Sequence, residues 1–328
     1  MSREPEPPPR DDLPVEILRP ATRRSVLKIF LLSALVVIGF NALAGIFLAR
    51  RTPNRGYRLL EEKWALLRSI EQPVDWIVLG DSSCNQGVSP AILSQTLGGR
   101  AVNLCTMGGA ALLNDAWMLQ RYLEKHPPPK GVLIVHVYDV WARGVRPVVL
   151  AKIPELTLGS FSELQPMPAL SRQEWASVAV ARFAPLFAEN QSLAHLLRSP
   201  SEALFRPEIH FEDGFQAKEG ADPAKVVSDT RAHLAELAKP GRRPISELNQ
   251  GCLLRVRQLA EARGLDVFIA SAPLFEGLTR APQLQRANAE LQAGIEAIAG
   301  APGGRVRVIL RDPPAMPIER LQNVDHVT

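Results

Sequence analysis

WIVLGDSSCNQGVSP, residues 76–90, is the stretch from which the rest of the chain can be read. Trp76-Ile77-Val78-Leu79 is a short apolar run that stops at Gly80, the pattern of a strand buried on both faces. Asp81-Ser82-Ser83-Cys84 follows as a tight polar turn, and Ser89 is placed to N-cap a helix over Pro90–Leu97. A buried strand that runs straight into a helix is the first half of a parallel βαβ unit.

The same alternation continues outward. Ala101-Val102-Asn103-Leu104 reads as a second strand, Leu112–Lys125 as a helix and Val132–Val137 as a third strand. Far downstream, Ile245–Arg263 reads as a helix and Leu265–Ala270 as a strand, then Ala287–Ala299 as a helix and Arg305–Leu310 as the last strand. Strands alternating with helices predict an α/β domain over 74–328, with a parallel five-stranded sheet covered on both faces. Between the third and fourth strands lies an insertion, about 145–244, rich in proline, with Trp175, three histidines and no clear strand run. It reads as helical or irregular: a lid, a substrate platform or a partner-binding surface.

Upstream, the chain changes character. The 328 residues are 46% hydrophobic and 22% charged, which excludes a disordered or fibrous class. A mean hydropathy of −0.01 is high for so many charges, so apolar residues must be concentrated somewhere. They are at Ile29–Ala49, which carries no charge and has Asn41 as its one strongly polar side chain. At 1.5 Å per residue this stretch reaches about 31 Å, the thickness of a hydrocarbon core. The expectation is one transmembrane helix at 29–49, after a disordered tail at 1–28 and before a juxtamembrane helix within 50–73. The flanking cations, Arg19, Arg23, Arg24 and Lys28 against Arg50, Arg51, Arg55 and Arg58, give no positive-inside bias. The formal charge of +4 is too small and dispersed to call for nucleic acid. No His/Cys spacing suggests a metal, and nothing calls for a cofactor. Cys84 and Cys105 follow neighbouring strands and could pair outside the cytoplasm.

In open parallel sheets, ligands collect at the carboxyl ends of the strands. Those ends carry Gly80-Asp81-Ser82, then Asn103 with Gly108-Gly109, then Tyr138-Asp139, then Ser271-Ala272-Pro273 and finally Asp325-His326. A serine at a strand-to-helix turn, glycines that let a second backbone come close, and a histidine from the last loop suit attack on an acyl carbonyl.

On these residues the chain resembles the SGNH/GDSL hydrolase superfamily. Gly80-Asp81-Ser82 followed by Pro90 is similar to its first block, Asn103 with Gly108 to its second and Asp325-His326 to its last. The resemblance covers about 74–140 and 245–328. It is strongest to membrane-anchored bacterial branches related to alginate-type polysaccharide O-acetyltransferases. It implies a flavodoxin-like three-layer α/β/α sandwich, with Ser82 as nucleophile and His326 as general base. Asp325 would orient the histidine, and the N–H groups of Ser82 and Gly108, with Gly109 a weaker candidate, would hold the oxyanion.

It further implies a single-pass protein of the bacterial inner membrane with its domain outside the cytoplasm. The substrate would be an acyl ester, for example on a surface polysaccharide, and envelope assembly proteins would be partners. Three departures open a second reading, a catalytically impaired domain that binds glycan or a partner. Val135–Asp139 lacks the asparagine that completes the family's oxyanion hole. Asn323 stands where the family has its aspartate, leaving Asp325 adjacent to the histidine it would have to orient. The chain given ends two residues after His326, which predicts either a truncated fragment or a loosely held last loop.

Overall fold

The computed structural model describes residues 23–50, 55–157, 170–198, 213–216, 220–300 and 303–328. The tail before Arg23 and parts of the insertion lie outside these residues.

The strands are β1 (Trp76–Gly80), β2 (Ala101–Asn103), β3 (Gly131–His136), β4 (Asp266–Ser271), β5 (Leu274–Phe275), β6 (Val306–Leu310) and β7 (Ala315–Met316). Five of them form one all-parallel sheet in the order β2-β1-β3-β4-β6, and β5 pairs with β7 beside it. The register is continuous from Trp76↔Gly131 to Gly80↔Val135 and from Gly131↔Asp266 to His136↔Ser271. The five-stranded all-parallel sheet is as expected, and its order is that of a doubly wound α/β fold. The winding reverses between β1 and β3, so right-handed crossovers put helices on both faces and leave a crevice at the carboxyl ends of those strands.

Helices Ser82–Gly87 and Pro90–Leu97 connect β1 to β2 on one face. Helices Ala111–Lys125, Glu247–Arg263 and Pro282–Ala299 make the other three crossovers. Ser89 Oγ accepts from Ile92 N, and Gly264 in the left-handed conformation ends Glu247–Arg263. The core runs from Val78 and Leu79 through Ile134 to Trp117, Met118, Leu253 and Val256, all buried.

Helix Arg55–Ser69 belongs to this core, with Leu60 and Trp64 fully buried and Trp64 edge-on to Trp117. Ahead of it, Arg23–Arg50 is one continuous helix. Its segment Arg24–Leu48 is the one helix among the described residues long and apolar enough to cross a membrane. The described part of the insertion is helical, at Pro147–Leu150, Arg172–Phe183, Pro185–Ala188, Asn190–Arg198 and Pro223–Leu237.

Candidate active site

Gly80 ends β1 at φ 151°, a conformation L side chains avoid, and a Cβ there would lie 1.9 Å from Val135 O. Only glycine lets β1 turn against β3 at this point. Asp81 then caps the helix that starts at Ser82: Oδ1 accepts from Ser83 N at 2.9 Å and from Ser83 Oγ at 2.5 Å. Its Oδ2 accepts from Val137 N at 2.8 Å. Asp81 therefore fixes the serine turn to the end of β3. Ser82, as the first residue of its helix, has an N–H with no partner inside that helix.

Ser82 Oγ lies 2.8 Å from His326 Nε2, although 244 residues separate them. On the other side of the ring, Nδ1 lies 2.6 Å from Asp325 Oδ1 and 2.8 Å from Asn323 Oδ1. Two facing oxygens require that Nδ1 carry the proton, which leaves Nε2 as an acceptor toward the serine hydroxyl. Asp325 and His326 are adjacent in sequence, a spacing at which side chains do not easily orient one another. The turn resolves this, because Asn323 Oδ1 also accepts the backbone N–H groups of Asp325 (3.2 Å) and His326 (2.8 Å), curling the two side chains together.

Nor is the last loop loosely held. Leu321 and Val327 form an antiparallel bridge, Gln322 N donates to His326 O at 2.9 Å, and Thr328 N donates to Arg320 O at 2.9 Å. Phe275 N bonds Val324 O at 2.8 Å and Asp222 N bonds Leu321 O at 3.0 Å, so β5 and the insertion both hold it. Leu321 and Val324 are buried beneath.

Gly108 opens the short turn Gly108–Ala110, and a Cβ on it would meet Val140 Cγ2 at 2.9 Å and Asp81 Cβ at 3.7 Å. It thus lies beside the residue that precedes Ser82. Gly109 is turned elsewhere: its carbonyl accepts from Arg146 N at 3.0 Å, and a Cβ would strike Val149 and Arg146 of the insertion. Close packing against the insertion already calls for a glycine at this position.

Two groupings had no signal in the sequence. His136 is buried between Asp115 and Asp81, with Nε2 2.6 Å from Asp115 Oδ2 and Nδ1 3.4 Å from Asp81 Oδ2. Burial opposes its charge, but Asp115 and Asp81 outweigh that and push its pKa up to about 10. Asp81 is correspondingly held well below the usual carboxylate range: burial alone would raise it, and the imidazolium and the hydrogen bonds from Ser83 and Val137 overcome that. The second grouping centres on Lys63, buried under β2, whose Nζ donates to Asn103 O at 2.8 Å, to Asn103 Oδ1 at 3.2 Å and to Gly214 O. Asn103 in turn reaches Val88 O at 2.9 Å and accepts from Cys105 N at 2.9 Å. Cys84 and Cys105 are joined as a disulfide, linking the serine helix to the loop that leads to Gly108.

Tyr138, at the end of β3, places its hydroxyl 2.7 Å from His233 Nδ1 on helix Pro223–Leu237. Beside the His326 loop, a mostly apolar cavity of about 560 Å³ is lined by Gly87, Val135, Ala270, Pro273, Leu310 and Val327, among others.

The protein is thus an α/β protein with a doubly wound parallel sheet, one apolar N-terminal helix and a serine–histidine–aspartate chain at the strand ends. No protein-family model and no curated protein matches this sequence.

Proposed function

We propose that the protein is a membrane-tethered serine ester hydrolase or O-acyltransferase of the SGNH type. The observation that carries this reading is the 2.8 Å approach of Ser82 Oγ to an imidazole whose other nitrogen faces Asp325. In the proposed reaction, Ser82 passes its proton to His326 Nε2 as Oγ attacks the acyl carbonyl. The oxyanion is held by the N–H groups of Ser82 and Gly108. The imidazolium, stabilised by Asp325, returns the proton to the leaving alcohol, and water or a sugar hydroxyl then takes the acyl group from the serine. The apolar cavity beside Val327 suits an acyl group.

The disulfide supports placing the domain in an oxidising compartment; in this reading the membrane is a bacterial inner membrane and a surface polysaccharide is acceptor or substrate. A second reading, a glycan- or partner-binding module without turnover, is favoured by Tyr138. It stands in the stretch where the asparagine is expected, and its hydroxyl is engaged by His233. Labelling with a fluorophosphonate separates the two readings. Labelling that is lost in Ser82→Ala and strongly slowed in His326→Ala supports the enzyme. No labelling of wild type, with glycan binding that survives Ser82→Ala, would establish the binding module instead.

A further inference from the structure

The one strongly polar side chain in the apolar helix is committed to a partner. Asn41 Nδ2 donates to Val37 O at 3.1 Å, and its Oδ1 accepts the backbone N–H of Leu186 at 3.2 Å. One turn further on, Gly45 permits close approach of Pro185, whose Cγ would be 3.6 Å from a Cβ at that position. The short helix Pro185–Ala188 of the insertion is therefore seated on helix Arg23–Arg50 between Asn41 and Gly45. Measured from Ala49, the end of the charge-free stretch, these positions lie about 12 and about 6 Å inward along the helix. Interfacial helices bury their apolar face roughly 5–10 Å into the headgroup and acyl boundary, a depth that overlaps this span.

The surface around this contact is apolar. Phe183 and Phe187 are 70% and 72% exposed, Leu197 is 82% exposed, and Val180 and Leu186 are also open. Ala176, Val180 and Phe183 recur at helical spacing along Arg172–Phe183 and Phe187 is open on the helix that follows, while Val178, Ala181 and Pro185 are buried. Two of the segment's charges are drawn away from this stripe. Arg182 Nη1 bonds Ala151 O at 2.8 Å, and Glu189 is buried against Lys152. Two phenylalanines left open beside an apolar helix mark a surface that water does not cover well.

We infer that Arg172–Arg198 is an interfacial element that lies in the leaflet faced by Ala49, with Phe183 and Phe187 in the acyl region. The domain is then held to the bilayer by two apolar elements, and its orientation to the surface is set by the Asn41–Leu186 and Gly45–Pro185 contacts. The inference rests on reading Ile29–Ala49 as a membrane span. It is tested on the full chain in vesicles, with an environment-sensitive fluorophore on Phe187→Cys or Phe183→Cys and lipids brominated near the headgroup or near the chain end. Cys252 is buried and Cys84 and Cys105 are paired, so the introduced thiol takes the label.

The expected result is loss of fluorescence at both phenylalanine positions, stronger with shallow bromines. Ile38→Cys, within the span, should be quenched more by deep ones. Quenching at Ile38 without quenching at 183 or 187 would overturn the inference and leave the span standing. Equal quenching at Gln283→Cys, an exposed position on the crossover helix Pro282–Ala299, would also overturn it. No quenching at Ile38 would remove the span and the inference together.

Discussion

His136 Nε2 lies 2.6 Å from Asp115 Oδ2, with both side chains almost wholly buried. Asp115 belongs to the helix that follows the Gly108 turn, and His136 ends β3. Through Nδ1 the ring also faces Asp81, the cap of the serine helix. One buried imidazolium thus joins the serine turn, the third strand and the helix behind the glycine turn. Buried ions of this kind are maintained by their partners, and removing one partner typically costs about 3–5 kcal/mol.

This arrangement predicts a pH dependence of stability that wild type conceals. The pKa of His136 is raised from 6.5 to about 10, so its contribution is whole below pH 6.5 and is lost as pH rises through 10. Lys63 has the opposite sign. Burial lowers its pKa from 10.5 to about 7, against the pull of Asp213 and Glu62, so its penalty is relieved as pH climbs from 7 to 10.5. The two slopes nearly cancel in the shared window. Thermal melts of wild type between neutral and alkaline pH should therefore be nearly flat with respect to these two groups. Lys63→Met should lose stability as pH rises, and a Lys63→Met slope no more negative than that of wild type would contradict the pairing.

The histidine loop predicts separable effects for its two oxygen acceptors, Asp325 Oδ1 and Asn323 Oδ1. Asp325→Asn removes the charge facing Nδ1 but leaves the loop's backbone bonds, which go to Asn323. Its rate with a fluorophosphonate or an activated ester should fall roughly 10²-fold or more, with the melting temperature almost unchanged. Asn323→Ala strips two backbone N–H groups of their acceptor, so rate and melting temperature should fall together. An Asp325→Asn protein with wild-type rate would leave the carboxylate without a catalytic part.

The sheet was legible because its signals are local. Apolar runs such as Ile77–Leu79, which stops at Gly80, stand out from the polar turns around them, and outside the insertion their spacing leaves room for crossover helices and little else. Ser82 and His326 were legible because strand ends converge in such a sheet. The pairing of His136 with Asp115 was not, since it needs the register of β3 and the face that helix Ala111–Lys125 turns toward it. The hold on the last loop was likewise invisible: it comes from Asp222 and Phe275, distant in sequence, and from a single bridge between Leu321 and Val327. Asn41 read as an oddity within an apolar run, because its partner Leu186 lies 145 residues away.

Gly80 predicts a large steric penalty in a small substitution. In Gly80→Ala the new Cβ would sit 1.9 Å from Val135 O in a backbone with little freedom to move, at φ 151°. A loss of about 3 kcal/mol or more is expected in urea unfolding, or failure to accumulate as soluble domain. Gly98→Ala is the control, since its φ is 71° with nothing within 4 Å, and it should cost only about 1–2 kcal/mol of backbone strain. Similar losses for the two would mean that β1 and β3 separate more easily than their hydrogen bonds imply.

The disulfide predicts both a compartment and a stability. Cys84 and Cys105 are fully buried and close a loop with a sequence separation of 21, so cross-linking should stabilise the domain by about 3 kcal/mol through the unfolded chain. Cys105→Ala should lower the unfolding free energy by about that amount and loosen the segment between the serine helix and Gly108. Counting thiols in chain extracted from its native membrane under denaturing, non-reducing conditions checks the compartment. One reactive thiol, Cys252, is expected where the domain faces an oxidising space. Three thiols would place the same serine on the reducing side, where a surface polysaccharide could not be its substrate.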